Sequence, residues 1–212
     1  MKKRILCFGD SNTHGYCGEK GGKRFDETIR WPCILQAELG TGYTVVEEGL
    51  NGRTTVFEDP LKEGMCALPY LLPCLVTHEP IDLFVIMLGT NDTKERFSAT
   101  PRNITDGLIR LLQIAKSAAV WNTIPRILLM APVPLGAQYV TGPGGAGMGA
   151  GCCEKSRALE PLYRQAAEEL GCYFLNAADY AQVNTVDFIH LTGESHLALG
   201  RAVACTVKEI FS

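Results

Sequence analysis

Short apolar runs alternate with longer segments in which apolar residues recur every three or four positions. The short runs at residues 4–8, 43–47, 83–88, 126–130 and 172–176 read as strands. Leu83 to Leu88 is Leu-Phe-Val-Ile-Met-Leu, with no polar residue, as expected of a central strand covered on both faces. The longer segments predict helices over 31–39, 68–78, 101–119 and 153–170, and a final helix within 193–211. Ile104, Leu108, Leu111, Leu112 and Ala115 fall on one helical face, with Thr100 placed to cap and Pro101 in the first turn. Gly40 and Gly171 stand where two of the helices should end. Repeated strand–helix alternation predicts right-handed crossovers and a parallel sheet between helix layers. Ligands of such sheets bind beyond the carboxyl ends of the strands. The loops after Phe8, Glu47, Leu88, Met130 and Asn176 are therefore the ones to search.

Composition changes this picture little. The chain has 212 residues, 46% hydrophobic and 20% charged, which suits one globular domain over 1–212. A net charge of -3 argues against a nucleic-acid footprint. Lys2-Lys3-Arg4 runs straight into a strand and reads as a solvated strand entry. The apolar run behind it stops at Gly9-Asp10, too soon for a signal peptide, and no stretch approaches the length of a membrane span. The nine cysteines include no Cys-x-x-Cys pair, so neither a disulfide scaffold nor a zinc site is expected. They read as reduced, mostly buried thiols of a cytoplasmic protein. Cys152-Cys153 is the pair expected to react, because it adjoins a segment, 136–151, with seven glycines in sixteen residues. That segment has no P-loop ending and reads as a flexible surface loop, or as a lid or oligomer contact.

Chemistry concentrates in Phe8-Gly9-Asp10-Ser11-Asn12-Thr13-His14-Gly15. A serine at the turn after a first strand is presented outward, but its hydroxyl is a poor nucleophile until a base removes the proton. Of the histidines His14, His78, His190 and His196, only His190 lies in a loop with a carboxylate, Asp187, three residues ahead. That spacing can set Asp187 against Nδ1 and leave Nε2 for the serine. His14 is a weaker candidate base, since three residues after Ser11 it points along the turn. His78 reads as a surface residue and His196 as part of the last helix. Asn91, after the central strand, can donate to an oxyanion, as can the backbone at Gly52 in the Asn51-Gly52 turn. Taken singly, each of these segments is no more than a turn.

In order, Gly9-Asp10-Ser11, the Gly52 loop, Gly89-Thr90-Asn91-Asp92 and Asp187-Phe188-Ile189-His190 resemble the four sequence blocks of the SGNH hydrolases, the GDSL esterase/lipase superfamily. Arg4-Ile5-Leu6-Cys7-Phe8-Gly9-Asp10-Ser11 and Arg53-Thr54-Thr55 are similar to its arylesterase/acyltransferase branch. The resemblance implies a three-layer α/β/α sandwich with a five-stranded parallel sheet in flavodoxin-like order. It implies Ser11 as nucleophile, His190 as base and then acid, and Asp187 as its orienting carboxylate. The Ser11 N–H, Gly52 N–H and Asn91 side chain would form the oxyanion hole, and Asp10 would hold the turn. The implied substrate is a small ester, such as an acetyl ester of an aryl alcohol or a sugar. Hydrolysis or acyl transfer would proceed without cofactor or metal, in a homo-oligomer.

Two departures stand out. Glu47 occupies a position where the superfamily often has Asn. Asn12-Thr13-His14 replaces apolar or aromatic residues, which points to Asn12 and His14 as a polar, substrate-binding pocket edge. The rival reading is a small-molecule binding module on the same sheet, which would not require Ser11, Asp187, His190 and Asn91 together.

Overall fold

A computed structural model describes residues 2–212. Along the chain run β1 (Lys3–Gly9), a small antiparallel hairpin of β2 (Tyr16–Cys17) and β3 (Lys23–Arg24), then β4 (Tyr43–Gly49), β5 (Leu83–Met87), β6 (Ile127–Ala131) and β7 (Tyr173–Asn176). Five of these form one parallel sheet in the order β4-β1-β5-β6-β7. Numbered among themselves, the sheet strands run 2-1-3-4-5, the flavodoxin-like order expected.

Side chains of a strand alternate between faces, and the strand sequences use that alternation to build two cores. Leu6, Phe8, Phe84, Ile86 and Leu129 pack on one side against α3 (Ala67–Thr77), α4 (Pro101–Ser117) and α7 (Leu159–Leu170). Ile5, Cys7, Leu83, Val85, Leu128 and Met130 pack on the other against α2 (Trp31–Leu39) and α8 (Gly193–Ile210). The helices begin where their caps allow. Thr100 and Asn103 form a reciprocal capping box at α4, and the Thr192 side chain accepts from the Ser195 N–H at α8. Among the described residues, no helix is long and apolar enough to cross a membrane.

Three expectations need correction. The helix expected over 153–170 is two, α6 (Cys152–Arg157) and α7, parted at Ala158. Pro161 has no N–H to offer the Arg157 carbonyl, so the helical ladder is interrupted there. Cys152 and Cys153 are buried rather than poised to react, and their thiols donate to carbonyls of Thr93 and Leu135 at 3.3 and 3.0 Å. The glycine-rich segment is not a free flap. A 3-10 turn at Ala137–Thr141 and a short helix at Gly145–Met148 fold onto Leu135, Cys152, Cys153 and Ile189.

Register decides where the site lies. Gly9, at the end of β1, pairs with Gly49 of β4 on one side and Met87 of β5 on the other. Three strands therefore end level, and their loops emerge side by side at the topological switch point of the sheet.

Candidate active site

Ser11 opens the short helix α1 (Ser11–His14) directly beyond β1. Asp10 caps that turn: its Oδ1 accepts from the Asn12 N–H at 2.9 Å. The cap is fully enclosed, and burial pushes the Asp10 carboxyl up despite this bond. The Ser11 hydroxyl meets His190 Nε2 at 3.0 Å. On its far side, His190 Nδ1 meets Asp187 Oδ2 at 2.7 Å.

Asp187 is held from several directions. Its Oδ1 accepts from the backbone N–H groups of Ile189 and His190 and from the Asn184 amide, each at 2.9 Å. Burial alone would raise its carboxyl. The hydrogen bond and charge of His190, with the two backbone donors, outweigh burial and hold it at about 2. Asn184 is itself buried: its Oδ1 accepts from Val186 and Asp187, and its Nδ2 also reaches the His190 carbonyl. Asn184 therefore shapes the whole turn from 184 to 190. In sequence the only hint of this was an Asn three residues before an Asp, a common turn pattern.

Two more residues flank the histidine. Tyr16, on the β2–β3 hairpin, packs against the His190 ring with centroids 4.1 Å apart and the planes tilted by 31°. Asn12 bridges to the residues on either side of His190, donating to the Ile189 carbonyl at 3.5 Å and accepting from the Leu191 N–H at 3.0 Å. The residue after Ser11 thus fixes the loop that carries His190.

The other two loops supply the donors. Gly52 has φ +89°, a left-handed conformation that disfavours any side chain, so this turn calls for glycine. Among the described residues, neither the Ser11 nor the Gly52 N–H has a protein acceptor. One Asn91 amide hydrogen reaches the Arg53 carbonyl at 3.1 Å, which leaves the other for the cleft. Arg53 is buried, donates to the carbonyls of Gly9 and Glu48, and stacks on the Phe8 ring at 4.1 Å. It ties the ends of β1 and β4 to the Asn91 loop. Asp92 secures the same loops: its Oδ1 accepts from the Thr55 N–H at 2.8 Å and the Thr55 hydroxyl at 2.5 Å. Burial drives the Asp92 carboxyl up to about 6 despite these bonds.

A cleft of about 580 Å³ opens over this arrangement, lined by Ser11, Asn51, Gly52, Asn91, Asp187 and His190. Tyr16 and Gly18 of the hairpin form one wall, Pro143 and Met148 of the glycine-rich segment another. The structure does not bring Asn12 or His14 to the cleft. Asn12 is enclosed and its amide is engaged by backbone. His14 lies on the side of Gly49, Arg24 and Glu47, where burial first and then Arg24 hold its imidazole below the usual range. Glu47 forms a forked pair with Arg30, with Nε and a terminal nitrogen of Arg30 each 2.9 Å from a carboxylate oxygen. His196 is enclosed in α8 and does not bond the Ser11 hydroxyl, whose partner is His190.

His78 is half-buried rather than a free surface residue, with Nε2 2.8 Å from Glu48 Oε1. Glu48, Cys74 and His78 bring metal-type donor atoms within 4.8 Å of one another. Tyr70 also donates to Glu48, and none of the three lines the cleft.

Geometrically, the arrangement offers a serine hydroxyl on a histidine, an ionised carboxylate behind it, and three donors grouped beside it. A sequence model of the GDSL-like lipase/acylhydrolase family matches residues 7–198. A carbohydrate acetylesterase from Sinorhizobium meliloti has 36% identity, covers 99% of this chain and 100% of its own, and superposes with a TM-score of 0.90. The aryl esterase of M. smegmatis has 34% identity, covers 98% of this chain and 99% of its own, with a TM-score of 0.89. An acetylxylan esterase from Xylanibacter ruminicola is 31% identical over 149 residues, 62% of this chain. The matched part spans only 28% of that longer relative.

Proposed function

The chain belongs to the GDSL-like lipase/acylhydrolase family, and from that premise we propose that it is a serine esterase of short-chain carboxylic esters. The observation that carries the reading is the continuous line from Asp187 through His190 to Ser11, at 2.7 and 3.0 Å. His190 Nε2 takes the Ser11 proton as Oγ attacks the ester carbonyl. Asp187 fixes the ring and stabilises the imidazolium. The Ser11 and Gly52 N–H groups and the free Asn91 amide hydrogen receive the developing oxyanion. His190 returns the proton to the leaving alcohol, giving an acyl-serine, which water then attacks by the same path in reverse.

The carbohydrate and aryl esterase relatives support acetyl esters of sugars or aryl alcohols as substrates. Transfer of the acyl group to another alcohol uses the same intermediate. The polar cleft wall, with Asn51, Lys62 and Thr90, admits water and supports hydrolysis as the main outcome. Nine unpaired cysteines, six of them buried, support a reducing compartment such as the cytoplasm. Leu61 and Val140 are exposed on loops beside two cleft walls and support assembly of further copies there.

The test is p-nitrophenyl acetate turnover by the wild type and Ser11→Ala. Loss of the nucleophile lowers kcat by several orders of magnitude. Equal turnover would sink the assignment, and labelling of the wild type alone by a fluorophosphonate probe separates an esterase from a binding module.

A further inference from the structure

One wall of the cleft is cationic although the chain as a whole is acidic, at -3. Lys62, Lys94 and Arg96 all line it. They come from the two loops that also carry Gly52 and Asn91. Lys62 Nζ stands 3.7 Å from the point a Cβ on Gly52 would occupy, beside one oxyanion donor. Lys94 follows Asn91 by three residues and is nine-tenths buried in the cleft.

One carboxylate, Asp59, faces Lys94 and Arg96, and among the described residues none lies within ion-pair distance of Lys62. Asp59 sits 3.7 Å from Lys94 Nζ and 3.5 Å from Arg96 Nε, both longer than a direct hydrogen bond. Its Oδ1 is also engaged by the Leu61 N–H at 3.0 Å. Asp59 lies behind the lining, and the carboxylate on the lining itself, Asp187, is committed to His190. Three cations, only two of which share a carboxylate, leave this wall with an excess of positive charge. Enclosing an ammonium without a close anion is unfavourable. Burial and then Arg96 and Lys62 hold the Lys94 ammonium below its ordinary range, even with Asp59 and Asp92 nearby.

A bound anion would relieve that imbalance, and the cations stand where part of an ester held in the oxyanion site would lie. We propose that the cleft selects esters that carry an anionic group, such as a carboxylate, which Lys62, Lys94 and Arg96 receive while the ester carbonyl lies over Ser11. This rests on the esterase reading above and specifies its substrate class. The anion can sit on the alcohol or on the acyl portion, and the two are told apart by matched pairs.

The alcohol-side pair is 4-carboxyphenyl acetate against 4-carbamoylphenyl acetate. The acyl-side pair is the mono-4-nitrophenyl ester of glutaric acid against 4-nitrophenyl pentanoate. In at least one pair, the anionic ester should have a kcat/KM about tenfold higher than its neutral partner, equivalent to about 1.4 kcal/mol. That ratio should fall towards one in 0.5 M sodium chloride, where the Debye length shrinks to a few ångströms (about 4 Å). It should also fall towards one in Lys62→Gln/Arg96→Gln. Ratios at or below one in both pairs, or a ratio the substitutions leave unchanged, would overturn the proposal.

A calorimetric arm reads binding without turnover, using 4-acetamidobenzoate against 4-acetamidobenzamide, and glutarate against glutaramide. Tighter, salt-sensitive binding of an anion that Lys62→Gln/Arg96→Gln weakens supports the anion site even if no ester is hydrolysed. Failure of the esterase reading then shows separately, as absent turnover of both members of each pair. Equal binding within both pairs counts against the anion site whatever the turnover.

Discussion

Gly18 stands directly against Asp187: a Cβ at this position would overlap the Oδ2 atom that holds His190. The hairpin and the His190 loop, far apart in sequence, are packed so tightly that no side chain fits between them. The same hairpin lays Tyr16 on the His190 ring. One small element therefore presses on both partners of Ser11.

Gly18→Ala should force the hairpin or the Asp187 carboxylate to move. Overpacking of this kind costs about 1–3 kcal/mol of stability, and a displaced Asp187 lowers kcat more than it raises KM. Steady-state kinetics on p-nitrophenyl acetate, with urea unfolding of the same preparation, checks both. An Ala variant with wild-type kcat would show that the contact is slack.

On the proposed mechanism Asn91→Ala removes an oxyanion donor, and it also breaks the tie from the β5 loop to the Arg53 carbonyl. Loss of one such donor lowers kcat by about 10²–10³ with a smaller change in KM. A variant that lost affinity while keeping kcat would place Asn91 in ground-state binding instead.

His196 gives a prediction about acid stability. It is enclosed in α8, its Nδ1 accepts from the Trp31 N–H at 3.4 Å, and its Nε2 has no partner among the described residues. Burial, followed by the charges of His190 and Arg30, drives its imidazole down to about 3. The depressed value means that the neutral ring stabilises the fold above the ordinary histidine range. Below that range the unfolded chain gains a proton that the folded chain resists, and stability falls until the folded ring titrates. Between pH 7 and 4.5 this contributes a loss on the order of 2 kcal/mol. Asp92, held up at about 6, acts in the opposite sense over part of the same window. The comparison is therefore between wild type and His196→Gln in urea at both pH values. A smaller loss in the variant is expected, and equal losses would refute the role of His196.

Much of the site could be read along the chain because its parts are local. The turn at Gly9-Asp10-Ser11, the Gly52 turn, the Asn91 loop and the Asp187–His190 spacing each lie within a few residues. Short apolar runs assigned the strands, with 83–88 as the one covered on both faces, so the loops to search followed. Asn12 was singled out for its identity, but its role as a bridge to the His190 loop depends on a partner 177 to 179 residues away.

What the sequence by itself determined is the five strands of the main sheet, most of the helices packed on it, and the chemical groups at the strand ends. Periodicity and capping are short-range effects, and they are written in neighbouring residues. Only the tertiary structure decided that Gly18 and Tyr16 close on the Asp187–His190 pair, that Asn184 holds Asp187, and that Cys152 and Cys153 face inward. It also decided that Lys62, Lys94 and Arg96 share one wall, with Asp59 behind only the last two. Each of these depends on which loops the level ends of β4, β1 and β5 bring together, and that is set by strand order and register rather than by any local pattern.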